Sequence, residues 1–314
     1  MKKAIVLLLA LAVLGGAVFA QDDAPALKLS GALYGGLVYA NGDGAGLKFD
    51  RWYGSVPDAF RVRLNAQLTA GNSGLKFRLQ SNDFSAPVIT QGYMWSGFLD
   101  NMIKVKLGKL DDYTFATVYN AYGNFDGVTG AEFILAPIDG LKIGAFVPVA
   151  LPNTVAIADQ FAGTDFGLAY AIPDVANIVA GYQLGENVMW AGVDVKAIEN
   201  VLARVEAKLT FDTSTYVIWE RVAYTMDALT LQLSSKQTIT DALALNVTPN
   251  VEYALDFGAI GAGVGIDLAG TDLTISIDPY LDYNVDSGSI EIGAGIPVMT
   301  PAGFSVYAFY SYSF

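Results

Sequence analysis

Between Ala59 and Ala70, apolar and polar side chains alternate without a break. Phe60, Val62, Leu64, Ala66 and Leu68 fall on one face; Arg61, Arg63, Asn65, Gln67 and Thr69 fall on the other. A repeat of two is the side-chain period of a β-strand. The same rule sets Leu75, Phe77 and Leu79 against Lys76, Arg78 and Gln80, and Ile103, Val105 and Leu107 against Lys104, Lys106 and Gly108. It returns at Ala203, Val205, Ala207 and Leu209 against Arg204, Glu206 and Lys208. Gly, Asp, Asn and Pro punctuate the runs. Reading them in order gives eighteen strands: 27–40, 59–70, 75–80, 87–98, 102–109, 128–135, 141–149, 164–171, 176–184, 188–197, 201–211, 214–225, 228–238, 242–254, 257–267, 272–283, 288–298 and 303–314. Weak runs can merge, so sixteen stays open as a count.

So many strands with one oily face each leave few folds. A single open sheet rarely exceeds about ten strands. About nine to eleven tilted residues cross a hydrocarbon layer, and a sheet that spans one must close on itself to satisfy its backbone. The polar face then lines an interior, which at roughly 16 to 18 strands is wide enough for water. The expected fold is all-β, a transmembrane antiparallel β-barrel of 16–18 strands in meander order. The long connections follow the first, fifth and seventh runs, so they fall at one end of such a barrel.

The chain opens MKKAIVLLLALAVLGGAVFAQ. Lys2 and Lys3, the apolar stretch Ala4 to Leu14 and the small-residue pattern Val18-Phe19-Ala20 read as a secretory signal peptide over residues 1–20. Residues 21–314 then form one barrel domain. Few residues separate Gln21 from the first strand, which leaves no room for a plug domain. Charged residues are 16 % of the sequence, with 33 Gly, 17 Tyr and 17 Phe, against about a quarter charged in an average soluble domain. No apolar run beyond the leader is long enough for a transmembrane helix.

There are no histidines and no cysteines. Histidine-based triads, His-ligated metals and disulfide frameworks are therefore excluded, and no G-x-S-x-G elbow is present. Nothing implies a cofactor, and the chain reads as a non-enzyme. Losing Lys2 and Lys3 from the 18 basic residues leaves 16 against 31 acidic ones, a formal charge of −15, which argues against a nucleic-acid partner.

Charges on the polar faces fall into two groups. Arg61, Arg63, Lys76, Arg78, Lys104 and Lys106 lie on neighbouring runs and form a basic wall. Glu252, Asp278, Asp282 and Glu291 lie on the fourteenth, sixteenth and seventeenth runs and are read as an acidic wall opposite. Such an arrangement sets a transverse field across the lumen. Trp52, Trp95, Trp190 and Trp219, with the tyrosines, are candidates for interface girdles or for lumen rings.

The chain ends FSVYAFYSYSF. Phe314, Tyr312 and Tyr310 share the apolar face of this last run. It resembles the C-terminal strand of bacterial outer-membrane β-barrels, where the terminal phenylalanine is the signal read by the barrel insertion machinery. That resemblance implies outer-membrane lipid and the insertion machinery as partners, and the cell outer membrane as location.

A second resemblance covers about residues 29–150. LSGALYGGLVYA is similar to the opening strand of Gram-negative general porins, and RVRLNAQLTAGNSGLKFRLQSND to their second hairpin. GYMWSGFLDNMIKVKLGKLDDYTF is similar to the hairpin that follows. In that family the next loop folds inward and narrows the channel, setting acidic residues against a basic ladder. By position the loop is Leu110 to Gly127, and its matching acids are Asp111, Asp112 and Asp126. The family's Pro-Glu-Phe-Gly-Gly type of signature is absent, with NAYGNFDG in its place. The resemblance implies a homotrimeric porin, a water-filled channel for passive diffusion of small hydrophilic solutes and ions. The alternative is a surface adhesin or structural barrel without an open channel. Ion selectivity stays open between the basic ladder and the overall acidity.

Overall fold

The alternating runs become strands of one ring. In the computed structural model, residues 25–41, 45–49, 60–83, 85–124, 128–149, 161–299 and 303–314 are described. The leader 1–20, Trp52 and Asp126 lie outside them.

The strands are β1 (Ala26–Ala40), β2 (Gly46–Phe49), β3 (Phe60–Ala70), β4 (Ser73–Asn82), β5 (Val88–Phe98), β6 (Ile103–Lys109), β7 (Thr129–Ile138), β8 (Leu141–Pro148) and β9 (Asp165–Ile172). They continue as β10 (Ala176–Gln183), β11 (Val188–Val195), β12 (Val201–Thr210), β13 (Thr215–Met226), β14 (Leu229–Ile239) and β15 (Leu243–Leu255). The last are β16 (Gly258–Ala269), β17 (Asp272–Val285), β18 (Gly288–Pro297) and β19 (Ser305–Ser313). From β3 onward each pairs antiparallel with the next, and β19 returns to β1 from Ala32↔Ser313 to Ala40↔Ser305. β2 stands off the ring, so the closed meander has eighteen strands. Each matches one of the eighteen alternating runs.

β2 is the departure. The sequence reads residues 41–57 as loop, but Gly46–Phe49 pairs with Leu37 to Ala40 of β1. The reason is an open edge. β3 reaches β1 only as far as Phe60↔Gly35, so the last residues of β1 would otherwise leave backbone groups unpaired on that side.

Direct cross-strand partners share a face, so the register sorts inside from outside. Leu29, Leu64, Met94, Leu107, Phe133, Val205, Val222, Leu233 and Ile260 point outward and are exposed. Outward rings gather at the two ends. Phe98, Tyr170, Tyr224, Tyr253, Tyr283, Tyr310, Tyr312 and Phe314 lie at the end holding the C-terminus. Tyr39, Phe60, Phe166, Tyr216 and Phe304 lie at the other. Trp95, Trp190 and Trp219, by contrast, point inward. Among the described residues, the girdle is built of Tyr and Phe.

Inward rings follow a rule of their own. Trp95 lies over Gly74, Phe146 over Gly130, Trp190 over Gly181, Tyr280 over Gly261 and Tyr307 over Gly293. In each case the ring leans onto the preceding strand, where a Cβ would come within 2.2 to 2.6 Å of ring atoms. A large side chain can lie flat along the wall because its neighbour has none. At the C-terminal end of the ring the turns are tight. At Gly140, φ is +78° and a Cβ would sit 2.2 Å from the Ala171 carbonyl oxygen, so the β7–β8 turn needs glycine.

Candidate functional site

The segment between β6 and β7, described over 110–124, carries a loop's sequence but a core's burial. Leu110, Phe115 and Thr117 are at most 2 % exposed. Leu110 and Phe115 form a cluster with Ile134 of β7 and Phe146 of β8, with Tyr93 and Ala169 packed against it. All of these lie on the inward face or in the loop itself. The loop therefore runs inside the ring, along the wall.

Missing side chains on the wall make its seat. The Phe115 ring occupies the space above Gly144 of β8 and Gly167 of β9, where a Cβ would stand 2.5 and 2.3 Å from it. The Thr117 methyl lies 3.0 Å from the Cβ position of Gly192 on β11. The Trp190 indole N–H donates to the Phe115 carbonyl at 2.8 Å. A turn within the loop closes where the Thr117 N–H donates to the Tyr122 carbonyl at 2.9 Å and the Tyr122 N–H to Thr117 Oγ1 at 3.0 Å. Gly123 follows at φ +79° with its Cβ position 2.1 Å from Trp190.

Charges anchor the start and the tip of the loop. At its start, Lys76 Nζ is 2.6 Å and Arg78 Nη2 is 3.4 Å from Asp111 Oδ2. Lys106 bonds Asp112 and reaches Glu132 at 2.8 Å. At its tip, the Glu206 carboxylate on β12 accepts from the N–H of Tyr119 at 2.6 Å, the N–H of Asn120 at 2.9 Å and the Asn120 side-chain amide at 2.8 Å. Hydrogen bonds to an ionised acceptor are about twice as strong as neutral ones, and Glu206 is 1 % exposed. Tyr119 stacks on Trp219 of β13 at 4.1 Å and 9°, with the Arg221 guanidinium 6.0 Å from its ring.

The sequence-derived candidates divide accordingly. Lys76, Arg78 and Lys106 meet Asp111 and Asp112. Lys104 lies 5.7 Å from the Trp95 ring, and Arg63 donates to Gln80 Oε1 at 2.7 Å. Arg61 lies inward beside Tyr34 and Asn82 in register. Asp126 is outside the described residues. Phe314, Tyr312 and Tyr310 share the outward face of the last run, and the Phe314 ring lies over Gly31.

Glu252, Asp278, Asp282 and Glu291 do line the lumen, but not opposite the basic wall as a whole. Glu252 accepts from the Tyr280 hydroxyl at 2.6 Å and Asp278 from Ser276 at 3.0 Å. Asp282 and Glu291 are cross-strand neighbours. Only β19 and β1 separate Glu291 on β18 from Arg61 on β3. Ring closure brings the two ends of the chain together, so strands far apart in sequence become close neighbours. Half the ring away from β3 and β4 stand β12 and β13, which carry Glu206, Trp219 and Arg221.

The anchors named here lie between β4 and β13. The arc from β14 through β19 to β1 lies on the other side of the loop, and Tyr113, Val118 and Tyr119 of the loop are more than half exposed. Sequence reasoning assigned no role to Glu132, Glu206 or Trp190 in seating the loop. Each looks in sequence like any other inward residue of an alternating run.

No protein-family model matches this chain, and no curated protein sequence does. Solved structures match over nearly its whole length. An engineered Rhodopseudomonas blastica porin aligns with a TM-score of 0.53 at 16 % identity, over 92 % of this chain and 100 % of that one. A triple mutant of the same porin aligns with a TM-score of 0.53 at 17 % identity and the same coverage. A protein described under asymmetric conductivity of engineered proteins gives 0.53 at 16 %. What is shared at this identity is the fold, a large closed porin-type β-barrel.

Proposed function

We propose that this chain is an outer-membrane porin, a water-filled channel for passive diffusion of small hydrophilic solutes and ions. One observation carries the reading. A loop is fastened at its start and its tip to the inner wall of an eighteen-strand ring, and on this reading the space between it and the arc from β14 to β1 is the passage. Rings of this size hold water. A loop seated inside narrows the passage without closing it, as a selective pore requires.

The outward face supports the membrane. Along the ring strands it is mostly apolar, with Glu220 and Lys109 as its charged residues among those described, and it is bounded by Tyr and Phe at both ends, as hydrocarbon and its interfaces demand. The leader over residues 1–20 would carry the chain out of the cytoplasm. The last strand, with Phe314 outward, would present the signal for insertion. The absence of histidine and cysteine removes the commonest nucleophile–base pairs, which fits transport rather than catalysis.

The test is single-channel recording of the folded mature chain in a planar bilayer. Discrete ohmic steps at a scale expected of an open pore support the reading. A correctly folded barrel that gives no conductance overturns it.

A further inference from the structure

At the end of the ring that holds the C-terminus, the tight turns repeat one residue type. Going round from β5 to β18, each successive turn carries one acid: Asp100, Asp139, Asp174, Glu199, Asp227, Asp256 and Asp286. All of them are exposed, and none is in an ion pair among the described residues. Lys196 is the one basic residue in the described turns at this end. On the lumen wall near it, Lys28, Lys104 and Lys142 are offset in number by Glu252, Asp282 and Glu291. The surplus of negative charge at this mouth therefore belongs to the turns.

Turn geometry asks for part of this pattern, but not for its charge. Asp100, Asp174 and Asp227 stand at φ of +55°, +59° and +52°, a region that Asn and Gly enter as readily as Asp. The same end of the barrel uses them in that way. Asn101 and Asn200 stand at +67° and +63°, and Gly71-Asn72 closes the β3–β4 turn with no acid. Spacing then decides what the charges can do together. Consecutive turns are two strands apart, about 10 Å. The screening length is about 30 Å at 0.01 M salt and about 3 Å at 1 M. In dilute salt each carboxylate adds to the field of its neighbours, and in strong salt it acts alone.

We propose that these turn carboxylates act as one ring that gathers cations at this mouth of the barrel and, as part of the pore, sets how fast cations reach the passage. The ring holds no ion at a fixed point. It raises the local concentration of mobile cations and lowers that of anions, as rings of Asp and Glu do in cation channels. Its contribution is separate from that of the acids along the lumen wall. Those act on a solute already inside, whereas the ring acts on the supply from one side. The gathering of cations follows from the turns alone; the effect on passage rests on the pore reading.

The test compares the folded barrel with a variant in which the six aspartates of the ring become Asn and Glu199 becomes Gln. These replacements keep size and suit the turns, so the variant should fold and resist heat. A smaller set, Asp227→Asn, Asp256→Asn and Asp286→Asn, should act in the same direction by less. The first readout needs no conduction. The chain has no cysteine, so Ser287→Cys gives a single thiol beside Asp286. At 0.01 M salt a cationic thiosulfonate should label it faster than an anionic one, by a ratio roughly ten-fold higher with the ring than without it. At 1 M salt the two ratios should converge. The second readout is single-channel conductance. It should fall about two-fold or more in the variant at 0.01 M and stay unchanged at 1 M. A labelling ratio that the variant leaves unaltered overturns the proposal. So does a conductance loss of equal size at both salts, which would report a changed shape and not a lost field. If neither protein conducts while the labelling ratio falls as expected, the pore reading fails and the cation-gathering ring stands.

Discussion

Glu206 and Lys106 hold the inner loop by different physics, and their variants should fail differently. Glu206 binds the loop tip through two backbone N–H groups and one amide. In Glu206→Ala those donors turn to lumen water, so the barrel keeps most of its stability. The tip loses its fastening, and the single-channel current should become larger and noisier. An unchanged trace would mean that Glu206 is not what restrains the tip. Lys106 stands between Asp112 and Glu132, which are 6 % and 0 % exposed. Lys106→Met strands two buried carboxylates. Removing one partner of a buried ion pair typically costs about 3 to 5 kcal/mol. The urea midpoint for loss of the folded gel band should fall markedly, and Lys106→Met with Asp112→Asn and Glu132→Gln should recover most of the loss. A single variant as stable as the parent would show that the cluster is solvated.

At the scale of the element, the loop is placed by what the wall lacks. Gly144, Gly167 and Gly192 form a trough across β8, β9 and β11 that takes Phe115 and Thr117. In Gly167→Val the new side chain occupies the position of the Phe115 ring and must displace it. Strand pairing is unaffected, since valine suits a strand. Heat resistance of the barrel should survive while conductance changes, and unchanged conductance would mean that Phe115 moves without moving the rest of the loop. Strands were legible in the sequence because period two records which side of a sheet is oily. Four residues of GLKF inside a glycine-rich loop carry too little of that period to show β2. The loop's inward course was legible only through the family resemblance at Leu110 to Gly127. Its anchors Glu132, Glu206 and Trp190 were not, because alternation says that a residue faces inward and not what it meets there. The three described tryptophans show the same limit: a ring on a strand fits a girdle or a lumen, and register decides.

At the scale of the whole molecule, ring closure tilts a question that the linear sequence leaves balanced, and the tilt can be tested. The basic ladder is largely spent on the loop, with Lys76 and Arg78 on Asp111 and Lys106 on Asp112. On the pore reading, the passage runs on the other side of that loop. Its wall from β14 to β1 carries Glu252, Asp267, Asp278, Asp282 and Glu291 against Lys236 and Lys28, with Arg61 and Arg63 at the far edge on β3. A solute in the passage therefore faces more negative than positive charge, in the same sense as the formal charge of −13 for the chain. Cations should pass in preference to anions, and the reversal potential under a salt gradient should have the cation sign. The preference should fade as salt rises, because the screening length falls from about 30 Å at 0.01 M to about 3 Å at 1 M. Neutralising the arc with Glu252→Gln, Asp278→Asn, Asp282→Asn and Glu291→Gln should move the reversal potential toward zero or past it. Neutralising Lys76 and Asp111 together should leave it nearly unchanged, since that pair cancels before the solute meets it. Anion preference in the unaltered pore would place the passage along the basic wall instead, and the loop would then have to leave its seat to open it.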